Sequence, residues 1–300
     1  MDGLRTSTSA LTLAHEDVRT RLIAHGVTRV TVTQELALEA VMRDEKDVVV
    51  AAPTGSGKTL AYVIPIACAI ARDGDREGVM AMVITPTREL AGQVMGEMVK
   101  YCGEGACAAC AGGGDGKAQE EAIRGGARVV VGTPGRIREF IGRKIIALRG
   151  VRIQVLDEID RLLDGGFEGD IEAVMKPPGT CQTLCFSATI SVALSRFLER
   201  KLVPGYVQIQ HFGRDGSNVG GKVEHLSYAS KGGDASVGAA VVEAIECYAS
   251  ERVDGRVGGQ AIVFTETKVA AERLRATLTN LLSTVRAWLT FFTLASARRR

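Results

Sequence analysis

Ala51-Ala52-Pro53-Thr54-Gly55-Ser56-Gly57-Lys58-Thr59 follows directly on the apolar run Val48-Val49-Val50. The β-branched run reads as a buried strand, Lys58-Thr59 opens a helix-like stretch, and the glycines between them form a tight turn. In such a strand–loop–helix, successive backbone N–H groups converge on phosphate oxygens, and the positive end of the helix adds to the attraction. Gly55 and Gly57 permit the turn. Lys58 can reach the β and γ phosphates as a point charge, and the Thr59 hydroxyl can ligate Mg²⁺. Ala52 stands where the general pattern begins with glycine. A Gly-rich turn before an ordinary helix is the plainer alternative, and the complete strand–loop–helix context argues against it.

Working outward, apolar runs alternate with amphipathic stretches. Val48–Ala52, Val79–Thr85, Ala106–Ala111, Arg128–Val131, Val151–Leu156 and Cys181–Ser187 read as buried strands. Leu60–Arg72, Arg88–Tyr101, Lys117–Arg124, Arg136–Arg143, Asp170–Met175 and Val192–Lys201 read as helices, and Val18–Ala24 and Glu35–Met42 as two more ahead of them. The alternation predicts an α/β fold, an open parallel sheet with helices on both faces. Ligands of such sheets sit beyond the carboxyl ends of the strands, which is where the motifs fall.

Val151–Leu156 runs straight into Asp157-Glu158-Ile159-Asp160. That puts two carboxylates at the sheet edge onto which the phosphate loop opens. Asp157 would hold Mg²⁺, usually through water, and Glu158 can polarise a water for in-line attack on a γ-phosphate. An acidic turn in isolation is ordinarily a solvated surface; its place after a phosphate loop in the same sheet favours chemistry. Ser187-Ala188-Thr189 ends the next strand, and its hydroxyls either reach Asp160 or cap the following helix. Pro86-Thr87-Arg88-Glu89-Leu90, Gly112-Gly113 and Thr133-Pro134-Gly135-Arg136 combine turns with small or basic residues. Together they suit the phosphates of a polymer, with contacts to backbone and little sequence specificity.

Bulk properties set the bounds. Three hundred residues suggest about two domains. With 46% hydrophobic residues the chain can bury a core, and a net charge of +2 confines any nucleic-acid-binding surface to local patches. Aromatic residues are 5%, which disfavours a base-stacking platform. Neither a secretory signal in Met1–Leu13 nor a membrane span of ~20 apolar residues is legible, and an intracellular protein without a membrane partner is expected. Seven cysteines are read as reduced thiols. Cys102, Cys107 and Cys110 have a spacing some iron–sulfur proteins use, but a buried strand explains them better; Cys181 and Cys185 are expected on one face of a strand. His15, His25, His211 and His225 are scattered along the chain.

In this order and spacing, the phosphate loop, PTREL (Pro86–Leu90), GG, TPGR (Thr133–Arg136), DEID (Asp157–Asp160) and SAT (Ser187–Thr189) resemble a DEAD-box RNA helicase over roughly Arg19–Leu281. The resemblance implies RecA-like domains, ATP as nucleotide, Mg²⁺ as its companion ion, RNA as partner, and ATP-driven RNA remodelling or unwinding. It implies that Ala52, Pro53, Thr54, Gly55, Ser56, Gly57, Lys58 and Thr59 bind ATP. Lys58, Asp157 and Glu158 would be catalytic, Thr59 and Asp157 would hold the metal, and Asp160, Ser187 and Thr189 would couple hydrolysis to strand separation. Pro86, Thr87, Arg88, Gly112, Gly113, Thr133, Pro134, Gly135 and Arg136 would hold RNA backbone. Gly26–Gln34 looks like the adenine-recognising segment, with Gln34 reading the base; Val30 and Val32 stand where prolines are usual, and the upstream aromatic is missing. Ile159 replaces the usual alanine of the acidic box. Val223-Glu224-His225-Leu226 and Ile262–Lys268 look like the Gu, or RNA helicase II, branch, whose vertebrate members are nucleolar and whose plant members are organellar.

The resulting expectation is an N-terminal adenine-recognition segment over 1–45 and a first RecA-like domain over 46–210. A linker over 211–221, a partial second RecA-like domain over 222–282 and a tail over 283–300 follow. In the second domain a strand is expected at Val223–Tyr228, a helix at Ser236–Tyr248, a strand at Ala261–Thr265 and a helix at Lys268–Leu282. The ARGLD-like and HRxGRTGR-like segments that supply arginine fingers in this family are not in these 300 residues. Such an arginine is worth on the order of 10³–10⁵ in rate, so the reading alternative to an active helicase is a catalytically weak ATP- and RNA-binding fragment. A truncated or altered gene product would account for this and would leave apolar surface exposed.

Overall fold

The computed structural model describes residues 6–74, 77–177, 179–210, 234–249, 263–265 and 267–282. The chain divides into two units, Met1–Val223 and Glu224–Arg300. In the first, a short antiparallel pair, β1 (Thr6–Ser7) and β2 (Val30–Thr31), flanks α1 (Glu16–Ala24), and α2 (Val32–Met42) follows. Then come β3 (Val48–Ala51), α3 (Lys58–Asp73), β4 (Ala81–Ile84), α4 (Arg88–Cys102), β5 (Cys107–Cys110), α5 (Gly116–Arg124), β6 (Val129–Gly132) and α6 (Pro134–Gly142). β7 (Ile153–Leu156), α7 (Ile159–Asp164), α8 (Glu168–Val174), β8 (Gln182–Ser187), α9 (Val192–Lys201) and β9 (Val207–Gln210) complete it.

β3 to β9 form one seven-stranded sheet in the order β5-β6-β4-β7-β8-β3-β9. Every strand pair in it is parallel. Parallel strands bury both faces, and Val48, Val49 and Val50 are accordingly fully buried. Alternate residues feed two apolar layers: Val48, Val50, Tyr62 and Phe186 on one side, and Val49, Met82, Phe140 and Cys185 on the other. After β3 the chain skips two positions to β4, and β7 and β8 later fill the gap. That skip is the topological switch at which α/β sheets form ligand crevices.

The amino edge is pinned by two acids, Asp47 buried and Asp73 half-buried. Asp47 accepts from Thr183 N at 2.7 Å through Oδ1 and from Val203 N at 3.0 Å through Oδ2. Asp73, at the end of α3, is ion-paired with Arg128 and Arg152. Inside the sheet, buried Gln154 donates to Thr183 Oγ1 at 2.8 Å.

Several expectations are corrected here. β9 was not anticipated: Val207-Gln208-Ile209-Gln210 alternates as a half-covered edge strand does, whereas the apolar-run pattern finds only doubly buried strands. α7 was likewise missed, because six residues are too few for a periodic signature. Cys181 lies before β8, outside the strand in which it was expected to share a face with Cys185. Cys102 closes α4 and packs with Cys107 in one apolar layer, while Cys110 lies in the other, so this trio does not converge. No group of His, Cys, Asp and Glu able to hold a metal ion occurs among the described residues. Nor, among those residues, is any helix long and apolar enough to cross a membrane.

In the second unit α10 (Asp234–Ala249) and α11 (Lys268–Leu282) pack Leu274 and Leu278 against Val241 and Val242. Of the strand expected at Ala261–Thr265, the described part, 263–265, is not a strand. The expected linker over 211–221, the strand Val223–Tyr228 and the tail over 283–300 lie outside the described residues.

Candidate functional site

β3 ends at Ala51 and releases the phosphate loop. Gly55 and Gly57 both take φ +79°, the left-handed region that glycine enters without strain. Gly57 has a second reason to lack a side chain: a Cβ there would lie 2.5 Å from Gln34 Nε2. Lys58 donates from Nζ to the carbonyls of Ala52 and Pro53, the latter at 2.8 Å, so its ammonium folds back into the loop. Burial holds its pKa below the usual lysine range, against the opposing pull of Asp157, Asp160 and Glu158. The hydroxyl oxygen of Ser56 is buried with no hydrogen-bond partner among the described residues. An orphaned hydroxyl in a glycine turn at the start of a helix fits a loop shaped for an external anion.

Gln34 is buried where α2 begins. Its Oε1 accepts from Thr31 N at 2.8 Å and Thr31 Oγ1 accepts from Gln34 N at 3.2 Å, a reciprocal capping box. Its Nε2 donates to Gly57 O at 2.8 Å. The residue expected to read a base thus buttresses the phosphate loop, with one N–H and one lone pair of its amide left over.

Two strands away, β7 delivers the acidic box. Asp157 is buried; its Oδ1 accepts from Glu158 N at 3.0 Å and its Oδ2 from the Tyr62 hydroxyl at 2.7 Å. Burial raises its pKa, and those two hydrogen bonds oppose the rise. Glu158 takes φ 49°, ψ 49°, a left-handed conformation costly for a residue with a Cβ. It starts α7, and its carboxylate pairs with Arg161 at 3.0 Å. β8, between β3 and β7, ends in Ser187. Of the two hydroxyls expected to reach Asp160, Thr189 does, donating to Oδ2 at 3.3 Å. Ser187 does not; its hydroxyl donates to Thr189 O at 2.7 Å. Ser191, not either of these, caps α9, accepting from Leu194 N at 3.1 Å.

The other expected residues gather over β4, β6 and β5. Thr87 caps α4, accepting from Leu90 N at 3.1 Å. Arg88 donates from Nη1 to Gly112 O at 3.2 Å. Gly113 takes φ +79°, and a Cβ on it would lie 2.0 Å from that same Nη1. Pro134 opens α6, where its missing N–H costs nothing; it is buried, while Thr133 and Gly135 beside it are half-buried. Arg136 pairs with Glu139 at 3.1 Å, donates to Gln119 Oε1 at 3.3 Å and stacks 5.4 Å from the Phe140 ring centre. Gln119 in turn donates to Ala111 O at 3.0 Å, tying the TPGR turn to the glycine turn. Arg88, Gly113 and Gln119 line a shallow cavity of about 340 Å³.

Sequence reasoning missed Tyr62 and Gln119. Tyr62 stands three and four positions after Thr59 and Lys58, a helical spacing that puts it on their face, but nothing local announces Asp157 as its partner. Gln119 carries no signal at all.

Residues 31–197 match the DEAD/DEAH box helicase family. Among similar proteins, DEAD-box ATP-dependent RNA helicase 7 of Oryza sativa subsp. japonica is 33% identical over 273 residues, covering 86% of this chain and 38% of that protein. DEAD-box ATP-dependent RNA helicase 9 of the same plant is 36% identical over 264 residues, covering 86% of this chain and 40% of that one. CshA, a DEAD-box ATP-dependent RNA helicase of Bacillus cereus, is 40% identical over 169 residues, covering 55% and 32%. The crystal structure of a DEAD box protein from the hyperthermophile Methanococcus jannaschii superposes with a TM-score of 0.62 at 30% identity, over 69% of this chain and 56% of that one. The chain thus spans about two fifths of the length of the plant relatives.

Proposed function

The chain belongs to the DEAD/DEAH box helicase family, and from that premise we propose that it binds ATP and RNA side by side on one sheet edge and hydrolyses ATP to remodel RNA. One observation carries the reading: the phosphate loop, the Asp157–Glu158 pair and the Ser187–Thr189 turn leave three adjacent strands, β3, β7 and β8, at the same end. In the proposed complex Lys58 exchanges its two loop carbonyls for phosphate oxygens, and the orphaned Ser56 hydroxyl gains a partner. Glu158 leaves Arg161 and takes up the attacking water, holding its proton as the γ-phosphate is transferred. Thr189, through Asp160, senses the change.

The residues present fit Mg²⁺, since Thr59 Oγ1 and the Asp157 carboxylate are hard oxygen donors. When bound, the ion would neutralise charge on the phosphates. Arg88, Gly113, Thr133 and Arg136 would hold RNA backbone, and the remaining amide capacity of Gln34 would face adenine. The VEHL and IVFTETK segments support the Gu branch, with the nucleolar or organellar compartment of its members. Residues 222–282 are proposed as part of a second RecA-like domain.

The test is RNA-stimulated ATP hydrolysis by this chain under single-turnover conditions. Glu158→Gln should retain ATP binding and lose hydrolysis by about 10²–10⁴-fold, the usual worth of a general base. ATP binding by the wild-type chain without RNA-stimulated hydrolysis would favour the second reading, a catalytically weak ATP- and RNA-binding fragment.

A further inference from the structure

Tyr62 is the largest polar side chain buried completely in the first unit's core. A phenol in such a place needs a partner for its hydroxyl, and a phenylalanine would fill the same space without that demand. Here the hydroxyl donates to Asp157 Oδ2 at 2.7 Å across 95 residues of sequence. Thr59 stands one helical turn before the same phenol on α3 and acts on it electrostatically, favouring its ionised form. The ring is fixed from the other side by an edge contact with Phe186, centroids 4.9 Å apart and planes at 63°. Phe186 immediately precedes Ser187 at the end of β8. One buried hydroxyl, on the helix that carries Thr59, is therefore bonded to Asp157, on a ring clamped against the strand that separates the two residues proposed to hold Mg²⁺.

Asp157 is held at both oxygens, by Glu158 N on Oδ1 and by Tyr62 on Oδ2. The first bond comes from the next residue in the chain and moves with it. The second comes from α3 and fixes the carboxylate relative to the phosphate loop. We infer that Tyr62 is a positioning residue that sets the rotamer of Asp157 and its separation from Thr59 on α3, and so determines how strongly a divalent ion adds to nucleotide affinity. This inference rests on the proposed nucleotide site. Outer partners of metal ligands are typically worth 10–100-fold in metal affinity.

The experiment measures the affinity of the full chain for ATP in excess EDTA and with Mn²⁺, following Mn²⁺ by its electron paramagnetic resonance signal. Tyr62→Phe keeps the ring against Phe186 and removes only the hydroxyl. It should bind ATP in EDTA as the wild type does, while the enhancement by Mn²⁺ falls about 10–100-fold. An unchanged enhancement in Tyr62→Phe would overturn the inference and leave the site reading standing. A wild-type chain with no Mn²⁺ enhancement would instead overturn the site reading itself. A Tyr62→Phe/Asp157→Asn double variant removes the hydroxyl together with the buried charge it faces, and so guards against a single variant that fails to fold. If the phenol acts through Asp157, the double variant loses no more enhancement than Asp157→Asn alone; additive losses would mean that the hydroxyl acts independently of Asp157 and would overturn the inference.

Discussion

The carboxyl edge of the sheet has two unlike halves. Over β7, β8 and β3 the charged and amide groups, Gln34, Lys58, Asp157 and Glu158, are buried or half-buried, and three are held twice: Gln34 by Thr31 and Gly57, Asp157 by Glu158 and Tyr62, Lys58 by two carbonyls. Over β5, β6 and β4 they are more open: Thr87, Arg88 and Gly113 are exposed, and the Arg88 side chain is held, among the described residues, by one hydrogen bond, of 3.2 Å. The difference follows from what each half is proposed to bind. A triphosphate and a metal ion need preorganised donors in a low-dielectric crevice, where electrostatic interactions are strong. A polymer backbone brings its own spread of charge and is met adequately by arginines that adapt to it.

The same substitution in each half exposes this contrast most sharply. Gly57 and Gly113 share φ +79°, and a Cβ on either would strike a side-chain nitrogen, Gln34 Nε2 at 2.5 Å and Arg88 Nη1 at 2.0 Å. The left-handed backbone costs an alanine about 1–2 kcal/mol at both. The shorter clash is the cheaper one, because Arg88 is exposed and swings away, whereas Gln34 is buried and anchored at both ends. Gly57→Ala should lower ATP affinity more than 10-fold, as about 1.4 kcal/mol or more implies, and leave RNA affinity unchanged. Gly113→Ala should lower RNA affinity by no more than about 5-fold and leave ATP binding intact. Titrations of fluorescent ATP and labelled RNA against both variants check this; equal losses would erase the distinction between the halves.

How much of this was legible in the sequence follows the same division. The loop, the acidic box and the arginine turns are contiguous words at strand ends, so their residue types and order reveal them. What makes the nucleotide half rigid is non-local. Tyr62 meets Asp157 over 95 residues, and Gln34 meets Gly57 over 23. A polar group that satisfies a distant polar group leaves no periodicity to read. The edge strand Val207–Gln210 was hidden for a related reason, since its alternation reports one covered face instead of two.

A smaller effect, on stability, separates the halves by pH. Asp157 has its pKa raised, first by burial. Its folded pKa lies above the unfolded value, so folding disfavours the ionised form. That penalty is absent below the unfolded pKa and develops as pH rises through the folded one. Asp157→Asn removes it. The variant should melt above the wild type at neutral pH. The gap should close as pH falls below the ordinary carboxylate range. Thermal melts at pH 7 and at about pH 3, below the ordinary aspartate value, test this, and a gap independent of pH would show that burial of the charge is not its source. No such pH-dependent gain is expected from arginine substitutions on the other half.

The smallest effect distinguishes two arginines within the open half. Each phosphate contact to a single strand contributes about 0.7 to the slope of log affinity against log salt, less than threefold between 50 and 200 mM. Arg88 has no carboxylate paired with it among the described residues, only the Gly112 carbonyl. Its charge is available to a phosphate, and Arg88→Gln should flatten the slope by nearly that full increment. Arg136 is partly neutralised by Glu139 at 3.1 Å and held by Gln119 and the Phe140 face. A phosphate must compete with that carboxylate, so Arg136→Gln should change the slope less. It should nonetheless weaken binding at every salt concentration, because the link through Gln119 to the glycine turn is lost with it. Salt titrations of RNA binding by the two variants read both quantities. A larger slope change for Arg136 than for Arg88 would mean that Glu139 releases it on binding, and that the open half also rearranges to meet its ligand.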